Sequence, residues 1–197
     1  PHVLHKGYSA SEESFKAIGK QSPSPRILHL STHGYFFPDP KTQVDTAAGP
    51  AFKLSDHPMI RSGLILAGAN HAWQTGRPLG NREDGVLTAY EISQMNLSNT
   101  ELVVLSACET GLGEIRGSEG VYGLQRAFKS AGAKTLVMSL WQVPDFQTQE
   151  LMDLFYQKLL YKKQNARQAL LNAQQEMRRK GYAPYEWAGF VMVERIR

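Results

Sequence analysis

Leu102–Gly113 reads LVVLSACETGLG, and the reading of its first half decides the fold. Leu102 to Ala107 carries Leu and Val in succession with no polar alternation, the pattern of a strand buried on both faces. The run delivers the single cysteine of the chain, Cys108, to a turn that contains Glu109, Thr110, Gly111 and Gly113. A free cysteine is often a small buried filler, but a filler belongs in mid-strand. A thiol at a strand end beside glycines is placed as a nucleophile would be.

The same grammar occurs 75 positions earlier, where Ile27–Gly34, ILHLSTHG, reads as one short strand ending in His33. Between and around these runs, further segments alternate in type. Ser9 and Glu12 have capping-box spacing and predict a helix over 10–20, followed by a QSPSP linker at 21–25. Residues 36–61 hold four prolines and read as a long inserted loop, of a length that usually carries function. SGLILAGA at 62–69 reads as a strand, 70–84 as a second polar excursion, and Thr88 with Glu91 as the cap of a short helix. A helix over 119–130, a strand over 134–141, helices over 146–161 and 165–180, and a strand over 187–193 complete the chain.

Strands alternating with helices predict an α/β fold, a mostly parallel sheet flanked by helices on both faces. Ligand sites of such sheets lie beyond the carboxyl ends of the strands. His33 and Cys108 are both expected at that edge, where an imidazole manages the protons of a thiol attacking a carbonyl. The amides of Gly34 and Cys108 suit the developing oxyanion.

Composition narrows the alternatives. At 197 residues and 42% hydrophobic content the chain, 1–197, is read as one domain. No apolar run approaches the roughly 18 residues a bilayer span requires, so no membrane role is expected. One cysteine leaves no intramolecular disulfide and fits a reducing, cytoplasmic setting. The net charge of +4 is mild, and the seven Lys or Arg of 158–180 read as a solvated helix face rather than a nucleic-acid patch. No cofactor is expected. His29 and His33 stand roughly 13 Å apart on a strand, too far to share a metal ion. Gly111, Gly113 and Gly117 are spaced G-x-G-x-x-x-G, one residue longer than the dinucleotide fingerprint.

The ordered blocks HLSTHG, SGLILAGAN, EDGVLTAYEI, LVVLSACETGLG, GSEGVYGLQRAFKSAGA, SLWQVPD and PYEWAGF resemble the CHAT domain, a caspase-like module often attached to TPR repeats. The resemblance spans about residues 1–193. It implies the caspase-hemoglobinase fold shared with separases, metacaspases and gingipains, with Cys108 as the nucleophile of a thiol protease and His33 as its dyad partner. The caspase Q-A-C-x-G signature is replaced by SACETG, so a preference for aspartate at P1 is not implied. The block LWQVPD at 140–145 resembles the separase segment whose aspartate lines the S1 pocket. That implies Asp145, with Trp141 beside it, as S1 residues favouring Arg or Lys.

Asp145 equally occupies the position of an N-cap for the following helix. Glu83 and Asp84 are family-typical acids for which loop fixing and substrate contact stay open. The family further implies chain upstream of Val3, including a first strand and TPR repeats or another regulatory partner. The expected activity is cysteine endopeptidase cleavage of a protein substrate, with a catalytically silent interaction module as the alternative.

Overall fold

The computed structural model describes residues 2–37, 51–78, 80–106 and 119–194. Two sheets share the molecule. The larger has the order β1-β5-β6-β7, built from β1 (Ile27–Leu30), β5 (Leu102–Leu105), β6 (Thr135–Ser139) and β7 (Phe190–Glu194). β1, β5 and β6 run parallel, and β7 returns antiparallel to β6. All four residues of β5 are buried, as the uninterrupted apolar run predicts.

Alternation along the central strands divides the core into two layers. Val103 and Leu105 of β5, with Leu136 and Met138 of β6, pack against Leu124, Ala127 and Phe128 of α5 (Glu119–Ser130). Leu102, Val104 and Val137 point the other way, onto α6 (Asp145–Tyr156) and α7 (Ala166–Arg179). Helices therefore cover both faces, and neither face of β5 can tolerate a polar residue without an unpaired buried group. Asn165 caps α7 by accepting from the amide of Gln168, and a π-helical turn over Gln157–Tyr161 extends α6.

The smaller sheet is a departure from the sequence reading. ILHLSTHG does not form one strand: β1 ends at Leu30, and His33 opens a separate strand, β2 (His33–Phe36). β2 pairs antiparallel with β3 (Ser62–Ile65), which pairs with β4 (Val86–Thr88). The Thr32 hydroxyl donates to the carbonyl of Ile65 at the point where the chain crosses over. One face of this sheet, through Leu64 and Leu87, joins the α5 layer of the core. A Cβ on Gly123 of α5 would stand 2.3 Å from Ser62 Oγ, so glycine lets the small sheet seat directly on the helix.

The other short elements surround this sheet. They are α1 (Glu12–Lys16), α2 (Ala51–Leu54), α3 (Ala69–Thr75) and α4 (Ala89–Ser93). α3 lies inside the stretch read as a polar excursion. Its N-cap is Gly68 in the left-handed region, which supplies no capping side chain for the sequence to advertise. α4 begins as Thr88 and Glu91 predict, each side chain bonding the other's backbone amide. α1 is shorter than the predicted helix and is capped by Ser11, whose Oγ accepts from Ser14 N at 3.4 Å. Ser9 instead closes the preceding 3-10 turn through Lys6.

The QSPSP segment is not a free linker. Ser24 is buried, its carbonyl accepts from Asn99 and its hydroxyl from Thr100. The basic run is also partly spent on the fold: Lys158, Arg167 and Lys180 pair with Glu176, Glu194 and Glu150. Among the described residues no helix is long and apolar enough to cross a membrane.

Candidate active site

The site is set by the register of β1 against β5. Leu30 is paired with Leu105, and the Ser106 amide donates to the Leu30 carbonyl at 3.0 Å, so the two strands end level. His33 follows Leu30 by three positions, and Cys108 follows Leu105 by three positions. Cys108 itself, with the whole segment 107–118, lies outside the described residues, as do the glycines of the G-x-G-x-x-x-G reading. Adjacent strands lie about 4.8 Å apart, so the chain leaves the sheet toward both residues from neighbouring points on one edge.

His33 is exposed at the head of β2, and Gly34 behind it is buried. The direction of the Gly34 amide follows from the ladder. Phe37 N donates to Arg61 O at 2.8 Å, which makes Phe37 with Arg61, and in alternation Tyr35 with Gly63 and His33 with Ile65, the hydrogen-bonded pairs. Gly34 opposite Leu64 is then a non-bonded pair, and its N–H points away from β3. Among the described residues β2 is the outer strand of the small sheet, and this amide faces away from β3.

A second imidazole stands near by. His29 Nε2 is 2.8 Å from Ser106 Oγ, and its Nδ1 is 3.0 Å from the Tyr156 hydroxyl at the last turn of α6. The chain Ser106, His29, Tyr156 thus ties the end of β5 to α6, with the His29 and Tyr156 rings 5.5 Å apart. The surrounding protein withdraws water from His29 and lowers its proton affinity, so the ring is neutral near pH 7. The same withdrawal raises the Tyr156 phenol. Sequence reasoning missed this trio because its members are 77 and 127 positions apart.

β6 ends next to β5, and the chain runs from it through Trp141 to Asp145. The N-cap of α6 is Pro144, without a side-chain cap, and Asp145 is the first helical residue. The N-cap alternative for Asp145 is therefore corrected: proline before it takes the cap position. Its carboxylate is exposed and meets no hydrogen-bond partner among the described residues. Trp141 is half-buried and anchored. Its indole N–H donates to the Tyr185 carbonyl at 2.8 Å, the ring stacks on Tyr185, and Gly189 is bare where a Cβ would come within 2.9 Å of the indole.

Glu83 and Asp84 fix a loop. Lys16 Nζ sits among three carboxylates, 2.6 Å from Glu12, 2.6 Å from Glu91 and 3.1 Å from Glu83. Glu12 also accepts from the Gly85 amide, Glu13 from the Glu83 amide, and Asp84 from the Val86 amide. The three glutamates lie close enough to hold a metal ion, but the ammonium of Lys16 already supplies the cation. Burial pushes Glu12 up to about 7, and Glu91 adds to this, against the lowering pull of Lys16. Burial alone would lower the Lys16 ammonium, yet hydrogen bonds to the three carboxylates raise it.

A mostly parallel sheet covered by helices on both faces is consistent with a caspase-like fold. Residues 3–195 match the family model of the CHAT domain, and the chain belongs to this caspase-like, peptidase-related family. It is also similar to tetratricopeptide repeat protein 28 of Mus musculus, 32% identical over 113 residues, and of Homo sapiens, 33% identical over 110. In each case the match covers 55% of this chain and 4% of the relative, so the chain corresponds to a small part of those much longer proteins.

Proposed function

We propose that the chain is the cysteine endopeptidase domain of a repeat-associated protein, with Cys108 as nucleophile and His33 as proton carrier. The observation that carries this reading is the level ending of β1 and β5, from which both residues follow at the same three-residue offset. In the proposed reaction the Cys108 thiolate adds to a peptide carbonyl, and the Gly34 and Cys108 amides hold the oxyanion. His33 gives its proton to the departing amine as the acyl-enzyme forms. It then takes a proton from the water that releases the new carboxyl terminus.

Asp145, exposed at the start of α6, supplies the acid for an Arg or Lys side chain at P1. An extended substrate segment binds with main-chain hydrogen bonds supplying affinity and side-chain pockets supplying choice. The test is a peptide-library digest by the full-length protein and its Cys108→Ala and Asp145→Ala forms. Cleavage after basic residues that Cys108→Ala abolishes supports the reading. Cleavage that persists in Cys108→Ala removes it, and unchanged P1 preference in Asp145→Ala removes the S1 role alone.

A further inference from the structure

The face of the small sheet that carries His33 continues into an aromatic layer. Side chains alternate along β2, so His33, Tyr35 and Phe37 lie on one side, in register with Ile65 and Gly63 of β3. Tyr35 is buried and meets the Trp73 ring edge-on at 5.5 Å and Phe52 at 6.0 Å. Beside it Phe37, Phe52 and Trp73 pack against one another, Phe52 and Trp73 stacked at 5.3 Å, as one aromatic cluster with Phe52 buried. Gly63 makes this layer possible, since a Cβ there would stand 2.8 Å from the Tyr35 ring.

A cation lies over this cluster. Lys53 Nζ lies 4.9 Å from the Trp73 centroid, 5.6 Å from Phe37 and 6.0 Å from Phe52. Each distance falls within the reach of a cation–π contact, so one ammonium draws on three rings at once. Among the described residues no carboxylate pairs with Lys53, so the π faces are its recognition. Phe37 and Trp73 are only half-buried, which leaves the cluster open to exchange with a ligand from solution. Such a contact on a flexible stem is worth roughly 0.5–1 kcal/mol, weak enough for an incoming side chain to displace.

We propose that Phe37, Phe52 and Trp73 form a cation subsite, plugged by Lys53 in the free protein, that receives an Arg or Lys side chain of the protein substrate. Its place relative to the bond cleaved rests on the peptidase reading above. Four residues separate His33 from Phe37, about 13 Å along the strand, a span that an extended substrate also crosses in about four residues. The cluster then reads a basic residue roughly four positions from the scissile bond, separately from any preference at P1.

The experiment is a titration of the isotope-labelled full-length protein with acetyl-Gly-Arg-Gly-amide, and with acetyl-Gly-Leu-Gly-amide as the uncharged counterpart. The indole N–H resonance of Trp73 is followed, assigned through Trp73→Phe. The arginine peptide should shift Trp73 while leaving Trp141 and Trp187 in place, and Lys53→Ala should tighten binding roughly 2- to 5-fold by removing the plug. Lys53 is half-buried on a one-turn helix and makes no hydrogen bond or ion pair among the described residues, so thermal melts of Lys53→Ala confirm the fold before titration. Equal response to the leucine peptide, or no Trp73 shift even in Lys53→Ala, overturns the subsite. Because the readout is binding, cleavage without Trp73 binding removes the subsite and keeps the peptidase, whereas Trp73 binding in a protein that cleaves nothing does the reverse.

Discussion

His29 reaches across from β1 to Ser106, with Nε2 2.8 Å from the hydroxyl, two residues before Cys108. The contact fixes Ser106, the last described residue before Cys108, and Tyr156 holds the other ring nitrogen. Folding lowers the proton affinity of this imidazole below its ordinary value near 6.5. The unfolded chain therefore binds more protons as pH falls through 6.5, and the folded state loses stability from there down to the lowered value. Replacing His29 with Gln keeps a polar partner and removes the titration. Denaturant melts at pH 7.5 and 5.5 should show a smaller loss in His29→Gln than in the wild type. Ser106→Ala should cost about 1 kcal/mol at neutral pH, measured in the same melts.

The Lys16 cluster gives the opposite slope. Glu12 holds its proton up to about 7 when folded, against 4.5 in the reference state, so the folded protein binds more protons between those values. The contribution of Glu12 to stability is full below about 4.5 and declines as pH rises toward 7. Glu12→Gln keeps the acceptor for the Gly85 amide and leaves Lys16 with Glu83 and Glu91. It should raise the melting temperature relative to wild type at pH 8, with the difference vanishing near pH 5. Lys16→Met should instead cost about 3–5 kcal/mol at pH 8, since it strands carboxylates without their cation.

Two glycines of the small sheet should respond differently to alanine. At Gly63 a Cβ would lie 2.2 Å from the Leu87 carbonyl oxygen, a backbone atom of the paired strand that cannot retreat alone. At Gly123 the nearest atom is Ser62 Oγ, a side chain that can rotate. Gly63→Ala should destabilise by roughly 3 kcal/mol or more and Gly123→Ala by about 1, as thermal melts will show.

Trp141 and Asp145 sit four residues apart between β6 and the start of α6, yet their substitutions should separate. Trp141→Phe loses the bond to the Tyr185 carbonyl and should lower stability by about 1 kcal/mol with P1 preference unchanged. Asp145→Ala should leave the melting temperature nearly unchanged, because Pro144 holds the cap position without side-chain help, while basic-P1 cleavage falls at least tenfold.

Much of the fold is readable locally because its signals are local. The apolar run of β5 and the Thr88–Glu91 capping box each name their own element. ILHLSTHG misleads because nothing within it marks a change of sheet; β2 is a separate strand only through its pairing with residues 62–65. The Ser9 cap fails because Ser11, two residues on, also has a free amide in reach at Ser14. α3 is hidden because a left-handed glycine starts it. At the site, His33 is legible as a residue next to a strand end and glycine, whereas the Ser106–His29–Tyr156 chain and the Phe37–Phe52–Trp73 cluster depend on contacts between distant segments.

The pairing of His33 with Cys108 is the central claim, and covalent labelling tests it without knowledge of the natural substrate. The rate at which an arginine-terminated peptidyl acyloxymethyl ketone modifies Cys108 should be measured by mass spectrometry in the full-length wild type and in His33→Ala. An imidazole that activates the thiol predicts labelling at least ~100-fold faster in the wild type. Equal rates in the two proteins would contradict the dyad.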